Sequence, residues 1–183
     1  IDVIVQGEIT EHNVGVLELA ALKGFFTQIV NDPVSYVNAP HLAQQRGIQV
    51  RLLTEPSAED YRNVITLRGV QEDGGVVSIS GTLAGQKQVQ KIVEINGYDL
   101  ELTLSNHLIV FEYDDRPGVV ASYGTILGEA GINIENLQVS RDDKMSRALS
   151  VLTIDANIGE EVVAQLREAI GASDITVVEI FND

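Results

Sequence analysis

Apolar and polar residues alternate in two rhythms along this 183-residue chain, and the switches between the rhythms mark its elements. Ile1–Ile9 has the period of a half-buried strand, with Val3, Val5 and Gly7 on one face and Asp2, Ile4 and Gln6 on the other. From Asn13, the expected N-cap, the period becomes helical: Leu17, Ala21, Phe25 and Ile29 recur every four residues, flanked by Leu22, Phe26 and Val30. Asn31-Asp32-Pro33 breaks that pattern, and Pro33 is placed to open a new helix. The segment VSYVNAPHLAQQRGI reads as one kinked or two short helices, with Asn38 capping the second part and Gly47 ending it. Strands are expected at Gln49–Thr54, Asn63–Val70 and Val76–Leu83, the last two joined through Glu72-Asp73-Gly74-Gly75. Val89–Ile95 and Tyr98–Leu104 form a further pair around Asn96-Gly97. Two helices over a mostly antiparallel sheet make the first half α+β.

The pattern restarts near Ser105-Asn106, so the domains are expected to cover 1–104 and 105–183. The second half reads strand Leu108–Tyr113, helix Pro117–Ala130, strand Ile132–Ser140, strand Ser146–Asp155, helix Gly159–Ile170, strand Ile175–Phe181. Val119, Val120, Tyr123, Ile126, Leu127 and Ala130 form the expected buried face of its first helix. Asn157 with Glu160 gives the second helix a capping-box pattern, and Gly171 ends it. A βαββαβ order of this length is the ferredoxin-like arrangement, with both helices on one face of a four-stranded sheet.

Charge narrows the partners. With 27 acidic and 12 basic residues the formal net charge is −15. Divided after Leu104, the halves carry 13 acidic against 7 basic and 14 against 5, so −6 and −9. Neither half offers nucleic acid or an anionic membrane the positive surface it requires. There is no cysteine, which removes disulfides, thiolate catalysis and iron–sulfur ligation. No apolar run approaches the roughly 18 residues of a membrane span. The first residues alternate like a strand without a basic leader, and the chain lacks an initiator Met. It is expected to begin inside a longer protein and to reside in the cytoplasm.

Catalytic equipment is sparse. His12, His41 and His107 are scattered, no metal-ligand spacing occurs, and neither a dinucleotide nor a triphosphate loop is present. The doublets Glu59-Asp60 and Asp142-Asp143 read as solvated loop charge. Asp114-Asp115-Arg116-Pro117-Gly118 reads differently. Pro117 is expected in the first turn of the helix, and Gly118 admits close approach of a ligand. Amides at that helix start attract a carboxylate, and Asp115 at the rim suits an ammonium. Asn133 opens the next strand, which is expected to pair beside the first and bring its carboxamide to the same place. Together they suit an α-amino acid. By spacing alone, a helix cap plus a turn asparagine accounts for the same residues.

"YDDRPG" followed by "GEAGINI" resembles the ligand turn of the ACT domain family, the amino-acid-sensing βαββαβ module of metabolic enzymes. VNAPHLAQQRGI, SGTLAGQKQVQKIVEINGYDLEL and LIVFEYDDRPGVV together resemble the regulatory region of the long-form D-3-phosphoglycerate dehydrogenase family, an intervening (allosteric substrate-binding) domain followed by an ACT domain. The resemblance covers essentially the whole chain. It implies L-serine as effector, bound between two ACT domains paired edge to edge, with Tyr113, Asp115, Pro117, Gly118 and Asn133 at the site. It implies NAD in the parent enzyme and no cofactor in this region, whose partners are then a second copy of itself and the catalytic domains. Some relatives hold anions in the intervening domain; Lys91 matches one such position and Arg147 is a second candidate. The arginines expected after Asn96-Gly97 are replaced by Tyr98-Asp99-Leu100-Glu101. Two other readings are carried forward: the regulatory region of an iron–sulfur L-serine dehydratase, and an oligomerisation module without a ligand.

Overall fold

A computed structural model of the chain describes residues 1–142, 146–172 and 174–180. Two expected features fall on other residues: Asp143 of one acidic doublet, and Phe181 at the end of the last strand. The chain divides into compact units Ile1–Gly97 and Tyr98–Asp183, each α+β. The expected division lies after Leu104 and compactness divides the chain after Gly97; the segment between them, Tyr98–Thr103, is a strand of the first sheet by hydrogen bonding. The division falls inside the Asn96-Gly97 turn, whose φ values of +51° and +83° are those the Asn-Gly pair adopts readily.

The first unit contains β1 (Asp2–Gly7), a 3-10 turn (Glu8–Glu11), α1 (Gly15–Thr27), α2 (Ala39–Gln45), β2 (Arg51–Glu55), β3 (Asn63–Val70), β4 (Val76–Ala84) and β5 (Val89–Ile95). These strands belong to a six-stranded sheet of order β2-β1-β3-β4-β5-β6, in which β6 is Tyr98–Thr103. The α1–α2 crossover makes β1 and β2 parallel, Asp2 facing Arg51, while β1–β3, β3–β4 and β4–β5 are antiparallel. Gly7 ends β1 at φ +101°, where a Cβ would lie 2.1 Å from the Arg62 carbonyl oxygen, so no other residue fits without a shift.

Helix α1 departs from the expected face. Leu22 and Phe26 are buried with Ala39 and Ala43 of α2, while Leu17 and Ala21 pack against Val3 and Val5. Phe25 and Ile29, expected inside, are exposed at 43% and 53%. The helix is wedged between a sheet and another helix, so two adjacent rows are buried and a single four-residue stripe does not define its face. Asn13 does not occupy the N-cap position, which is Val14, but its Oδ1 still accepts from the Gly15 amide at 3.1 Å. Pro33 does not open a helix: it lies in the connection, and Pro40 takes the first-turn position of α2. Asn38 is the N-cap there, yet its side chain serves Ser35 and Pro33 rather than helix amides. Gly47 follows at φ +68°, the left-handed stop.

The second unit contains β6 (Tyr98–Thr103), β7 (His107–Asp114), α3 (Val119–Glu129), β8 (Ile134–Asp142), β9 (Arg147–Ile154), α4 (Glu160–Ile170) and β10 (Asp174–Glu179). The antiparallel sheet has the order β10-β7-β9-β8. That is the ferredoxin-like layout, and it corrects one expectation: β8 pairs with β9 at the edge, and does not neighbour β7. Ile109, Phe111 and Tyr113 of β7 share a core with Val119, Tyr123 and Leu127 of α3 and Leu166 and Ile170 of α4. Val120, expected in that core, is 48% exposed, and Ala130 is exposed too, because α3 shows the sheet a narrower stripe than its apolar content suggests. No side chain caps α4, so the Asn157 capping box does not form, and Gly159 is its N-cap.

Strand β6 lies against the sheet's other face. Its alternation buries Tyr98, Leu100 and Leu102 and exposes Asp99, Glu101 and Thr103. Gln138 of β8 binds the Glu101 backbone twice, its Oε1 accepting from the amide and its Nε2 donating to the carbonyl, both at 2.7 Å. Among the described residues no helix is long and apolar enough to cross a membrane.

Candidate functional site

The β7–α3 turn is held from both sides. The Asp115 amide donates to the Ser146 carbonyl at 2.8 Å, which extends the β7–β9 ladder by one residue. Arg116 reaches across to α4, donating from Nη2 to the carbonyls of Ala169 (3.3 Å) and Ile170 (3.2 Å), where a cation also offsets the helix dipole. Pro117 precedes the helix and is not in its first turn. Gly118 is the N-cap, at φ +94°, with nothing within 4 Å of where a Cβ would stand. No side chain caps the amides that follow, and no acid occupies the first turn. An exposed helix start whose amides no side chain caps thus lies three residues from the Asp115 carboxylate.

That carboxylate is engaged by Arg141 of β8, whose Nε donates to Oδ2 at 2.7 Å. Asp114 points to the opposite face, where Arg147 donates from Nη1 to Asp114 (3.2 Å) and from Nε to Glu112 (2.7 Å). Glu112 also accepts from the Tyr98 hydroxyl at 2.7 Å. Burial works against the Glu112 charge, but the hydrogen bonds from Arg147 and Tyr98 outweigh it and lower its pKa. Burial and the Glu112 bond push Tyr98 up to about 12. The hydrogen bond to Glu112 keeps Arg147 more firmly charged.

Tyr113 is not at the surface. It is 1% exposed, and its hydroxyl meets Ser150 Oγ at 3.0 Å inside the core beside Tyr123. Burial raises the pKa of the Tyr123 hydroxyl, opposed by the nearby Ser150, and among the described residues the hydroxyl has no hydrogen-bond partner within bonding geometry. Asn133 is exposed; its amide donates to Asp155 Oδ1 (2.9 Å) and its carbonyl accepts from the Asp155 amide (3.2 Å). Asp155 and Ser146 stand at opposite ends of β9. Nine residue steps at about 3.3 Å separate Asn133 from Asp115 by about 30 Å within one chain.

The candidate anion residues are not a matched pair of open cations. Arg147 is gripped by two carboxylates, and Lys91 lies on β5 opposite Thr82 in the other unit. Among the described residues no cluster of His, Asp or Glu could hold a metal ion. Sequence reasoning missed Arg141. Its signal was strand parity, which puts it on the same side of β8 as Leu137 and Val139, at the hairpin end nearest the turn.

Residues 1–96 match the D-3-phosphoglycerate dehydrogenase intervening domain, and residues 107–171 match the ACT domain. The chain belongs to the D-3-phosphoglycerate dehydrogenase family. It is 37% identical over 180 residues to the D-3-phosphoglycerate dehydrogenase of Mycobacterium leprae, covering 98% of this chain and 34% of that protein. It is 31% identical to the protein of that name from Bacillus subtilis over 167 residues, 90% of this chain and 31% of the relative. With that of Methanocaldococcus jannaschii the identity is 29% over 98% of this chain and 34% of the relative. The chain thus spans about a third of the length of these relatives. It corresponds to the regulatory region of D-3-phosphoglycerate dehydrogenase, intervening plus ACT domain, and the reading as a dehydratase regulatory region is set aside.

Proposed function

We propose that this region senses L-serine and gives feedback control to a cytoplasmic enzyme that oxidises 3-phosphoglycerate with NAD as the first step towards serine. The observation that carries the reading is the uncapped start of α3 beside the Asp115 carboxylate, in an ACT domain. The α3 amides take the ligand carboxylate and Asp115 takes its ammonium. Asn133, about 30 Å away in the same chain, belongs to the pocket only if a second copy supplies it. The pocket is therefore read as shared between two ACT domains, with Asp115, Pro117 and Gly118 from one and Asn133 from the other. Tyr113 supports the turn from beneath, through the core and Ser150, rather than by touching the ligand. A ligand bridging two copies alters catalysis by favouring one subunit arrangement, on a scale of roughly 1–3 kcal/mol.

Titration of the chain with L-serine, followed by calorimetry and melting temperature, tests this. Binding to the folded form alone raises the melting temperature. Asn133→Ala is expected to weaken binding without altering the fold, because no described core contact uses its side chain. No shift at millimolar L-serine would leave the region as an oligomerisation module only.

A further inference from the structure

Asp115, the proposed ammonium seat, already carries a cation. Arg141 Nε reaches Asp115 Oδ2 at 2.7 Å, across the β9 strand that separates β8 from β7. In register Arg141 stands opposite Ala148, and Ala148 opposite Tyr113, two residues before Asp115, so a small buried residue lies between Arg141 and β7 and the guanidinium reaches Asp115 diagonally. The guanidinium lies on the helix-bearing side of the sheet, the side on which α3 begins. It therefore approaches the carboxylate from the side a ligand on the α3 amides would use. The partners' side chains are 58% and 32% exposed, so solvent screens the pair and exchange is cheap. The Asp115 backbone is held separately, by the hydrogen bond its amide donates to the Ser146 carbonyl, so the carboxylate keeps its position when its counter-cation changes.

Resting on the L-serine reading above, we infer that Arg141 is a resident competitor: in the unliganded chain its guanidinium occupies the place on Asp115 that the α-ammonium takes on binding. Arg141 is thereby a specificity-determining residue. A ligand with a free ammonium replaces one cation by another, whereas a 2-hydroxy acid offers nothing to displace the guanidinium. The exchange conserves the number of ion pairs, so affinity in the native chain depends weakly on ionic strength. Without Arg141, binding creates an ion pair and becomes sensitive to salt.

Calorimetric titration of L-serine into the native, Arg141→Gln and Arg141→Lys chains, each at low and high salt, tests the inference. Arg141→Gln is expected to tighten binding about two- to five-fold at low salt, the scale of an exposed ion pair, and to lose that gain at high salt. Arg141→Lys keeps a cation in place and stays near native. In an Asp115→Asn background the Arg141→Gln gain disappears. Native-level or weaker binding by Arg141→Gln at low salt overturns the competitor while leaving the L-serine site standing. Absence of binding by native and variant chains alike overturns both.

Discussion

Asp114 and Asp115 close the same strand, yet they belong to two regions with different physical characters. Asp114 lies at the end of a locked network: Arg147, 24% exposed, joins it to Glu112, and Glu112 in turn holds the buried Tyr98 of β6. Asp115 faces the helices and, among the described residues, pairs with the exposed Arg141. Strand alternation sends neighbouring carboxylates to opposite faces, and the number of partners that share each arginine then separates the two sites, although Asp114 itself is 84% exposed and Asp115 32%. The arginine shared by Glu112 and Asp114, with Tyr98 on the same Glu112 carboxylate, is structural. The Arg141–Asp115 pair, with its more exposed arginine, stands beside an uncapped helix start and is the one proposed to exchange.

The largest expected effect separates the two acids directly. Asp115→Ala should lower L-serine affinity about ten- to a hundred-fold, the scale of a lost charge-assisted hydrogen bond. Asp114→Ala should leave it within about two-fold, because its partner is on the other face. Equal losses in calorimetry would erase the distinction. Stability should rank the residues in the reverse order. Glu112→Ala removes the shared acceptor of Arg147 and Tyr98 and is expected to cost about 1–2 kcal/mol in urea unfolding, reduced from the fully buried case by partial exposure. Asp115→Ala should cost less than about 0.5 kcal/mol.

The smallest effects lie in Tyr98 and in pH. Tyr98→Phe keeps the ring and loses one bond to a charged group, for about 0.5–1.5 kcal/mol. Because Tyr98 is raised from 10.0 to about 12, its contribution is complete below pH 10 and is lost as pH rises from there to about 12. Glu112 has the opposite sign. Its pKa is lowered from 4.5, so its contribution is complete above that value and fades as pH falls through the folded value. Glu112→Gln should flatten the acid limb of the stability profile and Tyr98→Phe the alkaline limb. Unchanged limbs in both variants would show that the network carries no net stabilisation.

Local chemistry made much of the fold legible. Asn63–Val70 and Val89–Ile95 were expected at the bounds they occupy, and the Asn96-Gly97 turn and the βαββαβ order follow from patterns that act over a few residues. The α1 face was misread because burial on two sides leaves no single stripe in the sequence. Val120 was misread because an apolar residue at a helix start need not face its own sheet. At the site, Asp115, Pro117 and Gly118 were visible as turn chemistry. Arg141 was not, since its relation to Asp115 crosses a strand and depends on the β10-β7-β9-β8 order. Asn133 was placed beside Asp115 by assuming that β8 neighbours β7. The true order separates them.

That separation has a stoichiometric consequence. Under the shared-pocket reading, a two-fold pair of chains presents two equivalent pockets, each assembled from opposite ends of the two sheets, and saturates with two molecules of L-serine. Diluting the chain below its self-association constant would then abolish ligand uptake together with pairing. Under that reading the run of β9 between Ser146 and Asp155 would make apparent affinity a function of the chain's own concentration.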